Sequence, residues 1–201
     1  TACAKSITIS ASNASYYPGA DMMFVKLIFD PQTGRLFGGQ IVGGKGVDKR
    51  TDVLAVAIRA KMNVFDLQEL ELAYAPPFSS AKDPVNMAGY AAGNIVEGTF
   101  RPFFAEALDG LDDSSVLVDV RTDEEFAQGH IPGAIHCELE KMRGQLEMLP
   151  KDKELIIYCR VGLRGYVAER LLEQKGYKVR NLAGGWLYYE QMMQDRDRRD
   201  V

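Results

Sequence analysis

The stretch LIIYCRVGLRGYVAERLL, residues 155–172, places a cysteine between a short apolar run and a helical pattern. The apolar run that ends at Cys159 has the length and composition of a buried β-strand. From Leu163 onward, apolar side chains recur at helical spacing, which predicts a helix that starts near Leu163. Cys159 is therefore expected at the carboxyl end of a strand, above the positive end of a helix dipole, where α/β proteins bind anions.

The residues after Cys159 have the charge and the flexibility of an anion-binding loop. Gly162 tolerates the positive φ that lets successive backbone N–H groups turn inward as a nest. Arg160 and Arg164 add positive charge, and together these features favour the ionised thiolate. The sequence predicts that Cys159 is a nucleophile; the alternative is a buried, inert cysteine at a strand end.

The surrounding sequence divides into two parts of different character. Between 99 and 201, the strands SVLVDV (115–120), ELIIYC (154–159) and YKVRNL (177–182) alternate with helical patterns at 122–129, 138–149 and 163–176, which predicts a parallel sheet with crossover helices. Residues 1–98 contain a hairpin that turns at 30–34, followed by helical patterns at 47–64, 65–79 and 83–98. We expect Asp48 to cap the first of these helices and the double proline Pro76-Pro77 to end the second. The prediction is an α+β domain over 1–98 and an α/β domain over 99–201.

Composition excludes several classes of protein. The chain has 201 residues, a net charge of -4 and no basic stripe, so a nucleic-acid surface is not expected. No apolar run is long enough to cross a bilayer, and the first residues lack a secretory h-region, so we expect no membrane association. Three cysteines (Cys3, Cys137 and Cys159) are too few for a disulfide framework, which favours a reducing, cytoplasmic location.

Other chemically reactive residues have less specific surroundings. Cys137 is interpreted as structural, with a resolving thiol as the alternative. His130 and His136 lack a suitably spaced fourth metal ligand, so we expect structural histidines and no metal site. Asp119 either orients an arginine beside the Cys159 loop or is a solvated carboxylate. The segment GQIVGGKG (39–46) resembles a phosphate loop, but Gly46 replaces the hydroxyl residue, so a turn or bulge is expected.

The second part of the chain resembles a complete rhodanese (sulfurtransferase) domain. The resemblance rests on the segments VLVDVRTDEEFAQGHIPGAIH (116–136) and IIYCRVGLRGYVAERLLEQKGYKVRNLAGGW (156–186). It implies a mostly parallel five-stranded sheet flanked by helices, and a persulfide carried on Cys159. The persulfide-binding loop would consist of Arg160, Val161, Gly162, Leu163 and Arg164. Its partners would be small-molecule sulfur donors and thiol acceptors. Four residues separate Cys159 from Arg164, whereas a cysteine phosphatase needs five, so the loop is small for a phosphate.

The first part of the chain, from YYPG at residue 16 to Val96, is similar to the dimerisation domain of pyridine nucleotide-disulfide oxidoreductases, and in particular to the coenzyme A disulfide reductase group with a fused rhodanese domain. The resemblance implies a mixed or antiparallel sheet and a homodimer. It also implies a reductase site near Tyr16, Tyr17 and Tyr74, where a phenol would donate a proton or hydrogen bond to a departing thiolate. The alternative for these tyrosines is aromatic packing.

The two resemblances together predict a sulfurtransferase joined to part of a coenzyme A disulfide, persulfide or polysulfide reductase. The full-length enzyme would use FAD, NAD(P)H and coenzyme A. The glycine-rich fingerprints of the flavin and nicotinamide domains are missing, so we expect this chain to bind no cofactor alone. Two alternatives stay open: a non-catalytic dimerisation and sulfur-acceptor module with little turnover in isolation, and a phosphatase.

Overall fold

A computed structural model describes residues 2–199, and the chain divides into two compact units, Thr1–Thr99 and Phe100–Val201. The first unit contains a three-stranded antiparallel sheet, and the second contains a five-stranded parallel sheet. The predicted fold class, α+β followed by α/β, is confirmed. Within the described residues, no helix has the length and apolar character needed to span a membrane.

The sheet of the first unit has the order β1-β2-β3. The predicted hairpin is confirmed as β2 (Met22–Phe29) and β3 (Leu36–Val42), but the sequence reading missed β1 (Ala4–Ala11). In β1, the buried Ile7 and Ile9 alternate with polar residues, so the strand shows only a short period-2 pattern. Its position in the sheet depends on backbone pairing with β2, which the local sequence does not reveal.

Three helices complete the first unit: α1 (Val47–Arg59), α2 (Val64–Gln68) and α3 (Pro84–Val96). Helix α3 has the predicted position. In α1, one expectation was wrong, because Gly46 and not Asp48 is the N-cap. Val56 of this helix is 68% exposed. The GGKG segment leads from the antiparallel strand β3 into α1, so it is a turn, as expected.

Helix α2 also ends earlier than predicted, at Gln68 and not at the double proline. The Asn86 side chain donates to the carbonyls of Leu67 and Leu70, both at 2.9 Å. These tertiary hydrogen bonds satisfy the carbonyls at the end of α2, so the chain leaves the helix there.

The sheet of the second unit has the order β4-β8-β7-β5-β6. Its strands are β4 (Pro102–Phe103), β5 (Ser115–Asp119), β6 (Ile135–His136), β7 (Glu154–Tyr158) and β8 (Lys178–Leu182). Its α-helices are α4 (Asp123–Gln128), α5 (Leu163–Gln174) and α6 (Gly185–Arg199). Helix α6 includes the charged segment 195–199, and residues 200–201 lie outside the described residues.

The helix predicted at 138–149 was wrong. The segment instead forms two short 3-10 turns, Met142–Gly144 and Leu146–Met148. Pro150 has no N–H to donate to the Leu146 carbonyl, as an α-helix would require, and the Tyr177 hydroxyl donates to that carbonyl instead, at 2.8 Å.

Each face of the parallel sheet covers a separate apolar core. Leu155, Ile157 and Val179 point to the face that packs against Ala168 and Leu172 of α5. Ile156, Tyr158 and Leu182 point to the opposite face, where Trp186 of α6 packs. This strict alternation decides which side chains of β7 and β8 can approach the Cys159 loop.

A buried ion pair joins the loops of the first unit. The Arg50 side chain is fully buried, and its Nη2 lies 2.8 Å from Oδ2 of Asp83. The guanidinium also donates to three backbone carbonyls, those of Ser12, Gly46 and Phe78. Burial alone raises the pKa of Asp83, but hydrogen bonds from Arg50, the Val85 N–H and Ser79 outweigh it and lower the pKa.

We predict that Arg50→Met will lower the free energy of unfolding by about 3–5 kcal/mol, because it leaves the Asp83 carboxylate buried without its partner. Since the pKa of Asp83 is lowered on folding, the stabilising effect of the pair is present above the ordinary aspartate pKa. It is lost as the pH falls through the lower value of the folded state. Urea unfolding followed by circular dichroism at several pH values measures both effects.

Lys49→Met is the matched control, because the Lys49 ammonium lies 3.8 Å from Asp83 and its side chain is 38% exposed. We expect this change to alter stability by less than about 1 kcal/mol. Equal stability of the Arg50→Met and Lys49→Met variants would contradict the assignment.

Candidate active site

Cys159 lies where the sequence predicts, directly after β7 and four residues before the first residue of α5. The Gly162 N–H donates to the Cys159 sulfur at 3.1 Å. Gly162 has φ of 112°, a left-handed conformation that a side chain would strain. Cys159 is only 1% exposed, and it borders the apolar cluster under α5 while its sulfur accepts a backbone hydrogen bond. Cys159 is therefore buried, as expected for an inert cysteine, but its sulfur also has the backbone contact that is expected for a nucleophile.

The first turn of α6 supports the base of the loop. The Trp186 N–H donates to the Cys159 carbonyl at 2.8 Å, and the Leu187 N–H donates to the Arg160 carbonyl at 3.0 Å. Gly185 has φ of 56°, and a Cβ there would overlap both carbonyl oxygens. Glycine is required at this position because the backbones of the loop and of α6 approach so closely.

The two loop arginines differ in their surroundings. Arg164 forms a bidentate ion pair with Glu125, with N–O distances of 2.6 and 2.8 Å. The hydrogen bond from Arg164 is the main cause that lowers the pKa of Glu125 to about 2, and the pair raises the pKa of Arg164. Arg160 is exposed at the surface. Arg164 is thus held by a carboxylate, while Arg160 can reach an incoming anion.

A cavity of about 300 Å³ lies beside the loop, lined by residues that include Arg121, Gly129, Arg160 and Trp186. Arg121 lies over the Trp186 ring at 4.7 Å and forms a buried ion pair with Asp119 at 2.7 Å. Asp119 is completely buried, so it orients an arginine and is not a solvated carboxylate. The sequence reading did not identify Arg121, Glu125 and Trp186 as site residues, although they lie in the quoted DVR, EFAQG and LAGGW motifs.

The remaining reactive residues of this unit have structural contacts. His130 and His136 are hydrogen-bonded to the carbonyls of Phe126 and Arg121, at 3.1 and 2.8 Å. Cys137 is fully buried, and burial raises the pKa of its thiol. Cys137 follows β6 and Cys159 follows β7, with β5 between them, so roughly 9 to 10 Å separate their backbones. A disulfide needs Cα atoms within roughly 7 Å, which argues against Cys137 as a resolving thiol.

The predicted tyrosines belong to the first unit. The hydroxyl oxygens of Tyr16 and Tyr74 lie 3.3 Å apart, and this hydrogen bond is the main cause that raises the pKa of Tyr74. The Ala14 N–H donates to the Pro76 carbonyl at 3.1 Å, which ties the two tyrosine loops together. Tyr17 is 43% exposed. Tyr16 and Tyr74 are 75% and 49% exposed, so both hydroxyls lie at the surface of this unit.

Comparison with known families identifies both units. Residues 104–192 match the family described as Rhodanese-like domain, and residues 3–84 match the dimerisation domain of pyridine nucleotide-disulphide oxidoreductases. The chain therefore contains a dimerisation domain of this oxidoreductase family followed by a rhodanese-like domain.

Solved structures with both domains are similar to this chain. One is the reduced Bacillus anthracis CoADR-RHD, at 46% identity and a TM-score of 0.92 over 97% of this chain and 35% of that one. Another is an NAD-dependent persulfide reductase from A. fulgidus, at 38% identity and a TM-score of 0.82, with 91% of this chain and 33% of that one covered. The coenzyme A disulfide reductase of Staphylococcus haemolyticus is 43% identical over 86 residues, which are 43% of this chain and 20% of that protein. The chain thus spans about a fifth to a third of the length of these relatives.

We predict that Gly185→Ala will disturb the Cys159 loop, because the added methyl group would overlap the carbonyls of Cys159 and Arg160. The positive φ adds strain, and together we expect the free energy of unfolding to fall by about 1–3 kcal/mol. Urea unfolding followed by the fluorescence of Trp186, the single tryptophan, measures the change in this unit.

Gly144→Ala is the matched control, because a Cβ at Gly144 would meet no heavy atom within 4 Å. It should leave the unfolding curve nearly unchanged. If Gly185→Ala behaves like the control, then α6 does not support the loop as described.

Proposed function

We propose that Cys159 accepts sulfane sulfur as a persulfide and passes it to a thiol or another nucleophile. The observation that carries the proposal is the hydrogen bond from the Gly162 N–H to the Cys159 sulfur, within a unit that matches the rhodanese-like family. A backbone donor directed at the sulfur stabilises negative charge there in the way that an oxyanion hole does. The exposed Arg160 beside the cavity supports capture of an anionic donor.

The proposed reaction has two balanced steps. The Cys159 thiolate attacks the outer sulfur of thiosulfate, an S–S bond forms on the enzyme, and sulfite leaves with the electron pair of the broken S–S bond. A nucleophile such as cyanide or a thiolate then attacks the terminal persulfide sulfur. The Cys159 thiolate is released in the second step and returns the enzyme to its first state.

We further propose that this chain acts with the flavin part of a coenzyme A disulfide or persulfide reductase. The support is the shared order of the two domains with the B. anthracis and A. fulgidus relatives. FAD, when bound, would supply electrons taken from NAD(P)H, and coenzyme A would be the thiol that carries sulfur. The exposed Tyr16 and Tyr74 hydroxyls are suited to hold a departing thiolate. Thiol-based chemistry of this kind suits a cytoplasmic, reducing location.

We predict that the chain converts thiosulfate and cyanide to thiocyanate, and that Cys159→Ser abolishes the reaction, because serine cannot carry the sulfane sulfur. Intact mass after incubation with thiosulfate should show one added sulfur atom that cyanide removes. Colorimetric detection of thiocyanate measures turnover.

Cys3→Ser is the control, because Cys3 is exposed and belongs to the other unit. It should retain full activity and the added sulfur. Turnover by Cys159→Ser at the rate of the parent would refute the assignment, and hydrolysis of an aryl phosphate would favour the phosphatase alternative.

A second candidate function is assembly, which the exposed apolar side chains of the first unit favour. Val42 and Val56 are 59% and 68% exposed, and Phe37 is 39% exposed. We propose that this unit forms a homodimer, in line with the family that it matches.

Light scattering at micromolar concentration tests this proposal, and a dimer is expected. Val56→Asp should weaken the dimer if Val56 lies in the interface, because the dimer would then bury an unpaired charge. Lys61→Asp, on an exposed residue after the same helix, controls for the added negative charge. A parent chain that is monomeric over the whole accessible concentration range would rule out the homodimer.

A further inference from the structure

A buried polar cluster lies behind the Cys159 loop. The Asn181 side chain on β8 is 1% exposed, and its Nδ2 donates to the Gly162 carbonyl at 3.1 Å. The same residue, Gly162, directs its N–H at the Cys159 sulfur. Asn181 therefore anchors, through its carbonyl, the residue whose N–H contacts the sulfur.

The position of Asn181 is tightly constrained. Its own N–H donates to the Arg101 carbonyl at 3.0 Å, in the strand pairing at the edge of β8. A Cβ at Gly165, in the first turn of α5, would lie 2.5 Å from Asn181 Oδ1. The amide group therefore packs directly against the α5 backbone. Little freedom remains apart from a rotation that exchanges Oδ1 and Nδ2.

Glu169, one turn further along α5, belongs to the same cluster. It is completely buried, and its Oε1 accepts the Arg101 N–H at 2.7 Å. The Arg101 backbone thus contacts both residues, Glu169 through its N–H and Asn181 through its carbonyl. Within residues 2–199, Glu169 Oε2 and Asn181 Oδ1 are both buried oxygens that receive no hydrogen bond from a protein donor. Both residues contact the Arg101 backbone, and each has a buried acceptor without a donor, which is unfavourable. A proton on Glu169 would supply a donor.

The surroundings of Glu169 favour its protonated, neutral form. Burial is the main cause that raises the pKa of Glu169 to about 8; Glu173 adds to the rise, and Arg101 and Arg170 act against it. The ionisable residues of the packed strands are Glu154 and Tyr158 in β7 and Lys178 and Arg180 in β8. By strand alternation these four point to the opposite face of the sheet, whereas Asn181 and Cys159 share the α5 face.

We propose that Asn181 is a positioning residue for the Cys159 loop and that neutral Glu169 keeps it in place by donating its Oε2 proton to Asn181 Oδ1. When Glu169 ionises, its carboxylate repels Asn181 Oδ1 and attracts Nδ2. The amide then rotates, and the Gly162 carbonyl loses its donor. This inference rests on the proposed sulfur transfer at Cys159 only where activity is the measurement.

Glu169→Gln separates the neutral from the ionised form. The amide that this variant introduces can still accept the Arg101 N–H and donate to Asn181 Oδ1, but it cannot ionise. We expect the ratio of the variant's thiocyanate-forming rate to that of the parent to rise about tenfold between about pH 6 and pH 10, as Glu169 of the parent ionises. Glu140→Gln, at an exposed carboxylate outside this cluster, is the control, and its ratio should stay constant. A constant ratio for Glu169→Gln would overturn the proposal.

A second measurement does not depend on activity. The side-chain amide resonance of Asn181, assigned by its loss in Asn181→Ala, should shift with pH in the parent and stay in place in Glu169→Gln. An Asn181 resonance whose chemical shift does not change with pH in either protein would overturn the proposal. If the parent forms no thiocyanate at any pH, the proposed function fails, and the Asn181 resonance still decides this inference.

Asn181→Ala tests the positioning role directly. We expect kcat to fall about tenfold with little change in KM, because the Gly162 N–H is no longer held toward the sulfur while the cavity is unchanged. A parental kcat in a correctly folded Asn181→Ala variant would overturn the role. If this variant fails to fold, two measurements decide the question: the pH dependence of the Glu169→Gln to parent rate ratio, and the Asn181 resonance in a fully assigned spectrum of the parent.

Discussion

The Cys159 loop depends on the close approach of the first turn of α6 to the end of β7. Backbone N–H groups of α6 donate to the carbonyls of Cys159 and Arg160, and within the loop the Gly162 N–H donates to the sulfur. Only glycine at 185 permits this approach. The surroundings of the Cys159 sulfur are therefore set by backbone geometry, and the side chains around the loop hold that geometry in place.

Both units use a buried arginine–carboxylate pair to hold loops. Arg50 and Asp83 bind three loops of the first unit, near the segments that carry Tyr16 and Tyr74. Arg121 and Asp119 serve the second unit, where Arg121 also donates to the Gly129 carbonyl and forms part of the cavity wall. Such pairs are sensitive to the loss of one partner, because the remaining charge stays buried. Each pair thus ties the shape of a surface site to the stability of its unit.

Sequence patterns predicted the elements whose own residues favour them. The strand before Cys159, the helix from Leu163 and the helix from Pro84 have strong local periodicity or caps, and all three have the predicted positions. Predictions were wrong where a distant partner decided the outcome. Asn86 ends α2, Tyr177 binds the carbonyl of Leu146 in the 3-10 segment, and β1 depends on pairing with β2. None of these three contacts leaves a local signal in the sequence.

The sequence by itself determined the domain types, the location of Cys159 at a strand end, and the glycines around it, because these depend on local spacing and on backbone conformation. Only the tertiary structure decided which charged side chains near Cys159 are paired with another residue and which are exposed. It pairs Arg164 with Glu125, buries Asp119 against Arg121, and brings Asn181 and Glu169 behind the loop. These contacts join residues from 2 to 68 positions apart, and their partners depend on how strands and helices pack, which local spacing does not specify.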